Sequence, residues 1–124
     1  MKIHSENATN SHRINAYGDD FVAVDSQIFR TSLVVMPDRL VPDWLTADAS
    51  MPDDRSMHAL TELGAEIVLY GTGRHQRFPS AETFALFTAA GVGFEVMDTP
   101  AACRTYNILA GEGRRVAAAL LLEN

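Results

Sequence analysis

The stretch IVLYGTGRHQRFP, residues 67–79, governs how the rest of the chain is read. Its first four residues are apolar without alternation, and Gly71-Thr72-Gly73 stops them. A short apolar run ended by glycine is the pattern of a strand buried on both faces, in a sheet that helices cover. The glycine pair also raises a chemical question, because dinucleotide-binding units begin with a strand that ends in Gly-x-Gly and leads to a helix. That fingerprint requires a third glycine three residues on, where this chain has Gln76. The next helix start, at Ser80, is too far from Gly73 to bring its amides to a phosphate. A P-loop needs a lysine before Ser or Thr, and residues 71–80 contain none. A tight turn requiring positive φ accounts for the glycines better than a nucleotide does.

Downstream of this stretch, Ser80 is suited to cap AETFALFTAA, Glu82 suits the positive helix start, and Gly91 suits the C′ position. FEVM (94–97) follows as a strand. Thr99 as N-cap and Pro100 in the first turn predict a helix to about Ala110. RVAAALLL (115–122) reads as a last inner strand; its alanines and leucines also suit a helix, but it has no polar face. Upstream, a helix is expected from Asp54 to Leu63, capped by Asp53 or Asp54 and ended by Gly64. It turns Met57, Leu60 and Leu63 inward and leaves His58 and Glu62 as a solvated pair. Residues 37–53 hold three prolines and recurrent aspartates and read as a long loop, packed down by Leu40, Val41, Trp44, Leu45 and Met51. FVAV (21–24) and IFRTSLVVM (28–36) flank Asp25-Ser26-Gln27 as a β-hairpin, with Phe29, Thr31, Leu33 and Val35 on one face. Ile14–Tyr17 is a short strand, and residues 1–13 are a mobile polar tail before a single domain over 14–124. Strands first, then αβαβαβ, predict a three-layer α/β domain with an N-terminal hairpin layer added.

Composition removes several function classes. The formal net charge is −6, and residues 19–66 hold ten acids against three arginines. Such a surface repels nucleic-acid backbones, so no nucleic-acid partner is expected. No apolar run reaches the length that spans a bilayer, so no direct membrane insertion is expected. The first residues lack the apolar region of a signal peptide, and the single cysteine, Cys103, fits a cytoplasmic protein. HExxH, GxSxG and clustered metal-ligand spacings are absent, so no catalytic residue, metal or cofactor is assigned.

A crevice remains as a candidate site. Were strands 67–70 and 94–97 parallel neighbours, Gly71, Thr72 and Gly73 would face Thr99 and the following helix start. With Arg74, Arg77 and Arg104 nearby, that rim suits a small anion; capping and solvation explain the same residues without a ligand. Cys103 lies near a helix N-terminus beside Arg104, which favours a thiolate, yet its stripe with Ala102, Tyr106, Leu109 and Ala110 points the sulfur to the core.

The motifs LYGTG (69–73) and MDTPAACRTYNILAGEGRRVAAALL (97–121) resemble a small family of unknown biochemical activity. That family includes the mitochondrial NADH:ubiquinone oxidoreductase (complex I) assembly factor 3 and bacterial and archaeal relatives. The resemblance implies a three-layer fold with a central mixed sheet, no established catalytic residue, and action through protein contacts. It implies a protein partner, a membrane-associated respiratory complex, reached from the cytoplasmic side of the inner membrane. Lacking a presequence, the chain looks like a prokaryotic member. The matching motifs add Asn107 and Arg114 to the ligand-binding candidates, and Trp44 with Leu45 are candidate partner anchors.

Overall fold

The computed structural model describes residues 11–46 and 49–123. The front of the chain makes a small antiparallel sheet of β1 (Ile14–Tyr17), β2 (Val22–Val24) and β3 (Gln27–Phe29), in that order. The β2–β3 turn places Asp25 and Ser26 at positive φ, 52° and 71°. Aspartate tolerates that region, and here its carboxylate also accepts the Arg13 N–H at 3.0 Å and bonds His12 Nδ1 at 2.6 Å. The expected mobile tail therefore does not reach residue 13: His12 and Arg13 are tied to Asp25, and residues 1–10 lie outside the described residues.

IFRTSLVVM is not one strand. β3 ends at Phe29 and β4 (Leu33–Met36) begins in a different sheet. Thr31, expected on one face with Phe29, Leu33 and Val35, is exposed, because Arg30-Thr31-Ser32 is the crossing from one sheet to the other. The proline-rich stretch also holds a strand that the sequence conceals. β5 (Arg39–Val41) pairs antiparallel with β4 across a turn at Pro37-Asp38. Only three residues long and flanked by Pro37 and Pro42, it carries too little pattern to be seen.

The remaining elements follow the expected order: α1 (Asp54–Leu60), β6 (Ile67–Gly71), α2 (Ala81–Ala90), β7 (Gly93–Met97), α3 (Thr99–Gly111) and β8 (Val116–Leu120). Asp53 caps α1, which closes at Thr61 rather than running to Leu63. Ser80 caps α2, and Gly91 ends it at φ 72°. The central sheet has the order β5-β4-β8-β6-β7, with β8 parallel to β6 and antiparallel to β4. β8 thus enters between elements already laid down, and the sheet is mixed.

Side chains alternate between two cores. Leu33, Val35, Leu69, Val116, Ala118 and Leu120 share one core with Ala102, Cys103 and Tyr106 of α3 and with Ile14, Val22 and Val24 of the small sheet. Val34, Met36, Val68, Tyr70, Ala117 and Ala119 share the other with Met57 and Leu60 of α1 and Phe87 of α2. In this second core Phe87 stacks on Phe94 with ring centres 3.9 Å apart. Every residue of β8 is buried, which a strand covered on both faces requires.

Candidate functional site

β6 and β7 are parallel neighbours, and β8 lies parallel on the other side of β6. Their carboxyl ends meet at one rim, where Gly71-Thr72-Gly73, the start of α3 and Leu121–Glu123 converge. The order of connections reverses at β6: α2 leads outward to β7, and α3 leads back across to β8. Open α/β sheets bind ligands at such points.

Here the chain's own groups fill the rim. The Gly73 N–H donates to Thr99 Oγ1 at 2.8 Å, and that hydroxyl donates to the Leu121 carbonyl at 2.8 Å. The Thr99 N–H donates to the Gly73 carbonyl at 2.8 Å, the Leu121 N–H to Gly71 at 2.9 Å, and the Thr72 N–H to Met97 at 2.9 Å. Thr72 and Thr99 are 1% and 3% exposed, so one buried hydroxyl joins β6, α3 and the segment after β8. Thr99 is therefore not the N-cap of α3. Asp98 is, accepting the Ala101 N–H at 2.8 Å, which frees the Thr99 side chain to point inward. Both residues can cap a helix, so their spacing alone does not choose between them.

The glycines have separate reasons. A Cβ on Gly71 would stand 3.0 Å from the Thr99 Cα, so Gly71 allows α3 to sit against the strand end. Gly73 has φ 91°, and the Glu123 carboxylate lies where its Cβ would be. That carboxylate accepts the Arg74 N–H at 2.9 Å and its Nε–H at 3.0 Å. The sequence suggested an anion at the glycine turn, and Glu123 supplies one from within the chain. It was missed because nothing near residue 123 in sequence points to residue 73; a lone acid after an apolar strand was the available hint.

The Arg74 amide, then its guanidinium, hold the Glu123 carboxyl below its usual range. A depressed folded value stabilises the fold above the ordinary carboxyl value of 4.5, and this contribution is lost as pH falls through the lower folded value. Wild type should accordingly lose more stability than Glu123→Gln as pH falls through that window. Urea midpoints at neutral and acid pH check this; the difference should be small, because the pair is partly exposed to solvent.

The other candidates are dispersed. Cys103 is fully buried, and burial, only partly opposed by Arg104, pushes its thiol up to about 12. A thiol reagent should leave Cys103 unmodified in the native protein and label it fully in denaturant. Native labelling at the rate of a free thiol would contradict the placement. Arg104 reaches outward and donates to the Tyr17 hydroxyl at 3.0 Å. Asn107 clamps β1, accepting the Ile14 N–H at 3.0 Å and donating to its carbonyl at 2.8 Å. Arg114 pairs with Glu66 at 3.0 Å, at the end of the sheet away from the rim. Arg77 turns back to the Thr72 carbonyl at 3.1 Å. Gly71, Thr72, Gly73 and Thr99 are thus brought together, whereas Cys103, Arg104, Asn107 and Arg114 serve elsewhere in the fold.

Of the candidate partner anchors, Leu45 is 6% exposed in the second core. Trp44 is half-buried; its indole N–H donates to the Ser56 carbonyl at 3.1 Å and its ring meets Tyr70 edge-on. Among the described residues no group of acids, histidines and cysteine is placed to hold a metal ion. None of their helices is long and apolar enough to cross a membrane.

Fold and rim together define a small three-layer α/β protein whose strand-end crevice is bonded shut from within. The chain belongs to the family described as "Protein of unknown function (DUF498/DUF598)", whose model matches residues 14–121. It is 39% identical over 69 residues to human NADH dehydrogenase [ubiquinone] 1 alpha subcomplex assembly factor 3, a match covering 56% of this chain and 38% of that protein. The chain therefore spans well under half of that relative's length. An uncharacterized Rhodobacter capsulatus protein is 32% identical over 108 residues, covering 87% of this chain and 82% of its own. The crystal structure of a Bordetella parapertussis protein superposes with a TM-score of 0.81 at 38% identity, over 94% of this chain and 99% of that one.

Proposed function

We propose that this protein is a non-catalytic interaction protein that assists assembly or stability of a respiratory complex of the NADH dehydrogenase type. The observation that carries this reading is the 39% identity to a protein named for assembly of that complex. The rim supports it, because the groups from which a reaction would be built are spent on internal bonds: Thr99 on Gly73 and Leu121, and Glu123 on Arg74. On this reading the protein works at the membrane surface through its partner.

The test is deletion of the gene in its organism of origin, with native electrophoresis of the membranes. The expected result is less fully assembled NADH dehydrogenase, with subunits of that complex recovered on a tagged copy of the full chain. Unchanged assembly together with recovery of unrelated proteins alone would overturn the reading.

A further inference from the structure

One surface feature lies away from the strand-end crevice, over the second core, whose Met57 and Tyr70 line it. Between α1 and α2 runs a furrow in two adjoining parts, about 230 and 210 Å³, which share Asp54, Met57 and Thr83. Met57, 4% exposed, forms its floor. At one end stand Met51 and Phe78, 47% and 69% exposed. Covering these two side chains would remove apolar surface from water and is favourable.

The charge on the walls selects the occupant. Asp54 opens α1 and Glu82 opens α2, so both acids stand at the furrow. Among the described residues neither forms an ion pair. Of the basic groups on the same walls, Arg77 lines the Met51–Phe78 part and donates to the neutral Thr72 carbonyl, so it keeps its charge, and His58 stands 3.9 Å from Glu62. The furrow thus holds apolar side chains and the Arg77 cation at the Met51–Phe78 end, the Asp54 carboxylate where its two parts meet, and the Glu82 carboxylate at the other end.

We infer that the furrow between α1 and α2 docks a segment of a partner protein that bears apolar side chains on one face and lysine or arginine beside them. Met51 and Phe78 cover the apolar face, and Asp54 with Glu82 meet the basic groups. The inference rests on the partner-binding role proposed above and specifies the surface through which it acts. A helix laid in a groove would present such side chains three and four residues apart.

The test uses the full chain and a synthetic amphipathic helix of leucine and lysine, with its leucine–glutamate counterpart as control. Binding is followed by fluorescence anisotropy and by amide shifts. The expected result is saturable binding of the lysine peptide alone, with shifts centred on Met51, Phe78 and Thr83. Phe78→Asp should weaken it about tenfold, although the added charge would strengthen any merely ionic attraction. Asp54→Asn with Glu82→Gln should weaken it as well and reduce its dependence on salt. Phe78 is exposed, so a melting curve like that of wild type shows that the fold is intact. Equal binding of both peptides, undiminished binding by Phe78→Asp, or shifts lying elsewhere would overturn the inference. So would self-association of the chain that Phe78→Asp abolishes. Loss of the deletion phenotype with peptide binding intact would refute the assembly role alone; recovery of subunits unaffected by Phe78→Asp would refute the furrow alone.

Discussion

Replacing Thr99 by valine is expected to lower the unfolding free energy by about 2–4 kcal/mol, since each buried group left without a partner costs about 1–3 kcal/mol and two are affected. Valine keeps the shape of threonine and removes the hydroxyl alone. Two main-chain groups then lose their partner at once, the Gly73 N–H and the Leu121 carbonyl, in a position 3% exposed. Water cannot replace the hydroxyl without opening the contact between α3 and the strand ends. Thr99→Ser keeps both bonds and loses one methyl, so it should cost only about 1 kcal/mol. Urea denaturation checks both, with the midpoint falling and the slope unchanged. If valine and serine were equally mild, the hydroxyl would not be the joint described here.

Gly71→Val should destabilise the fold by about 2–3 kcal/mol through overpacking. Its cause differs from that of Thr99→Val. The backbone at Gly71 is not at positive φ, so a side chain is tolerable there in conformation. What forbids it is space: a Cβ would meet the Thr99 Cα at 3.0 Å and the Ala102 Cβ at 3.1 Å. The obstacle includes backbone, so α3 must move as a body, and it is held by the Thr99 bonds and by Asn107 on β1. Thermal melting measures the loss, and a melting temperature equal to that of wild type would mean that α3 does not rest on this strand end.

Where the sequence is most explicit, the structure follows it. IVLY and RVAAALLL yield β6 and β8 because an apolar run without alternation has no wet face to offer, whereas FEVM becomes the edge strand β7, with Glu95 exposed. Ser80 and Gly91 bound α2 because each supplies bonding or conformation that few other residues do. β3 and β4 were fused because period-two alternation records which face a side chain takes and not which sheet its strand joins. β5 was lost because three residues between prolines carry no period. At the rim, the convergence of residues 71–73 with residue 99 was expected only on the condition that strands 67–70 and 94–97 are parallel neighbours, a pairing the structure supplies. Its closure was not legible, because it depends on the Glu123 carboxylate and the Leu121 carbonyl, each about fifty residues further along the chain from the glycine turn they meet. The furrow was equally hidden, since Met51 and Phe78 come from two segments read separately as loops.

The central claim is that the strand-end rim is a structural joint occupied by the chain itself. Its most direct test is a titration of the isotopically labelled protein with inorganic phosphate, nucleotides and flavins, read at the amides of Gly73, Arg74 and Thr99. The account predicts that these three resonances stay in place at every ligand concentration. Saturable displacement of all three by any one ligand would contradict it.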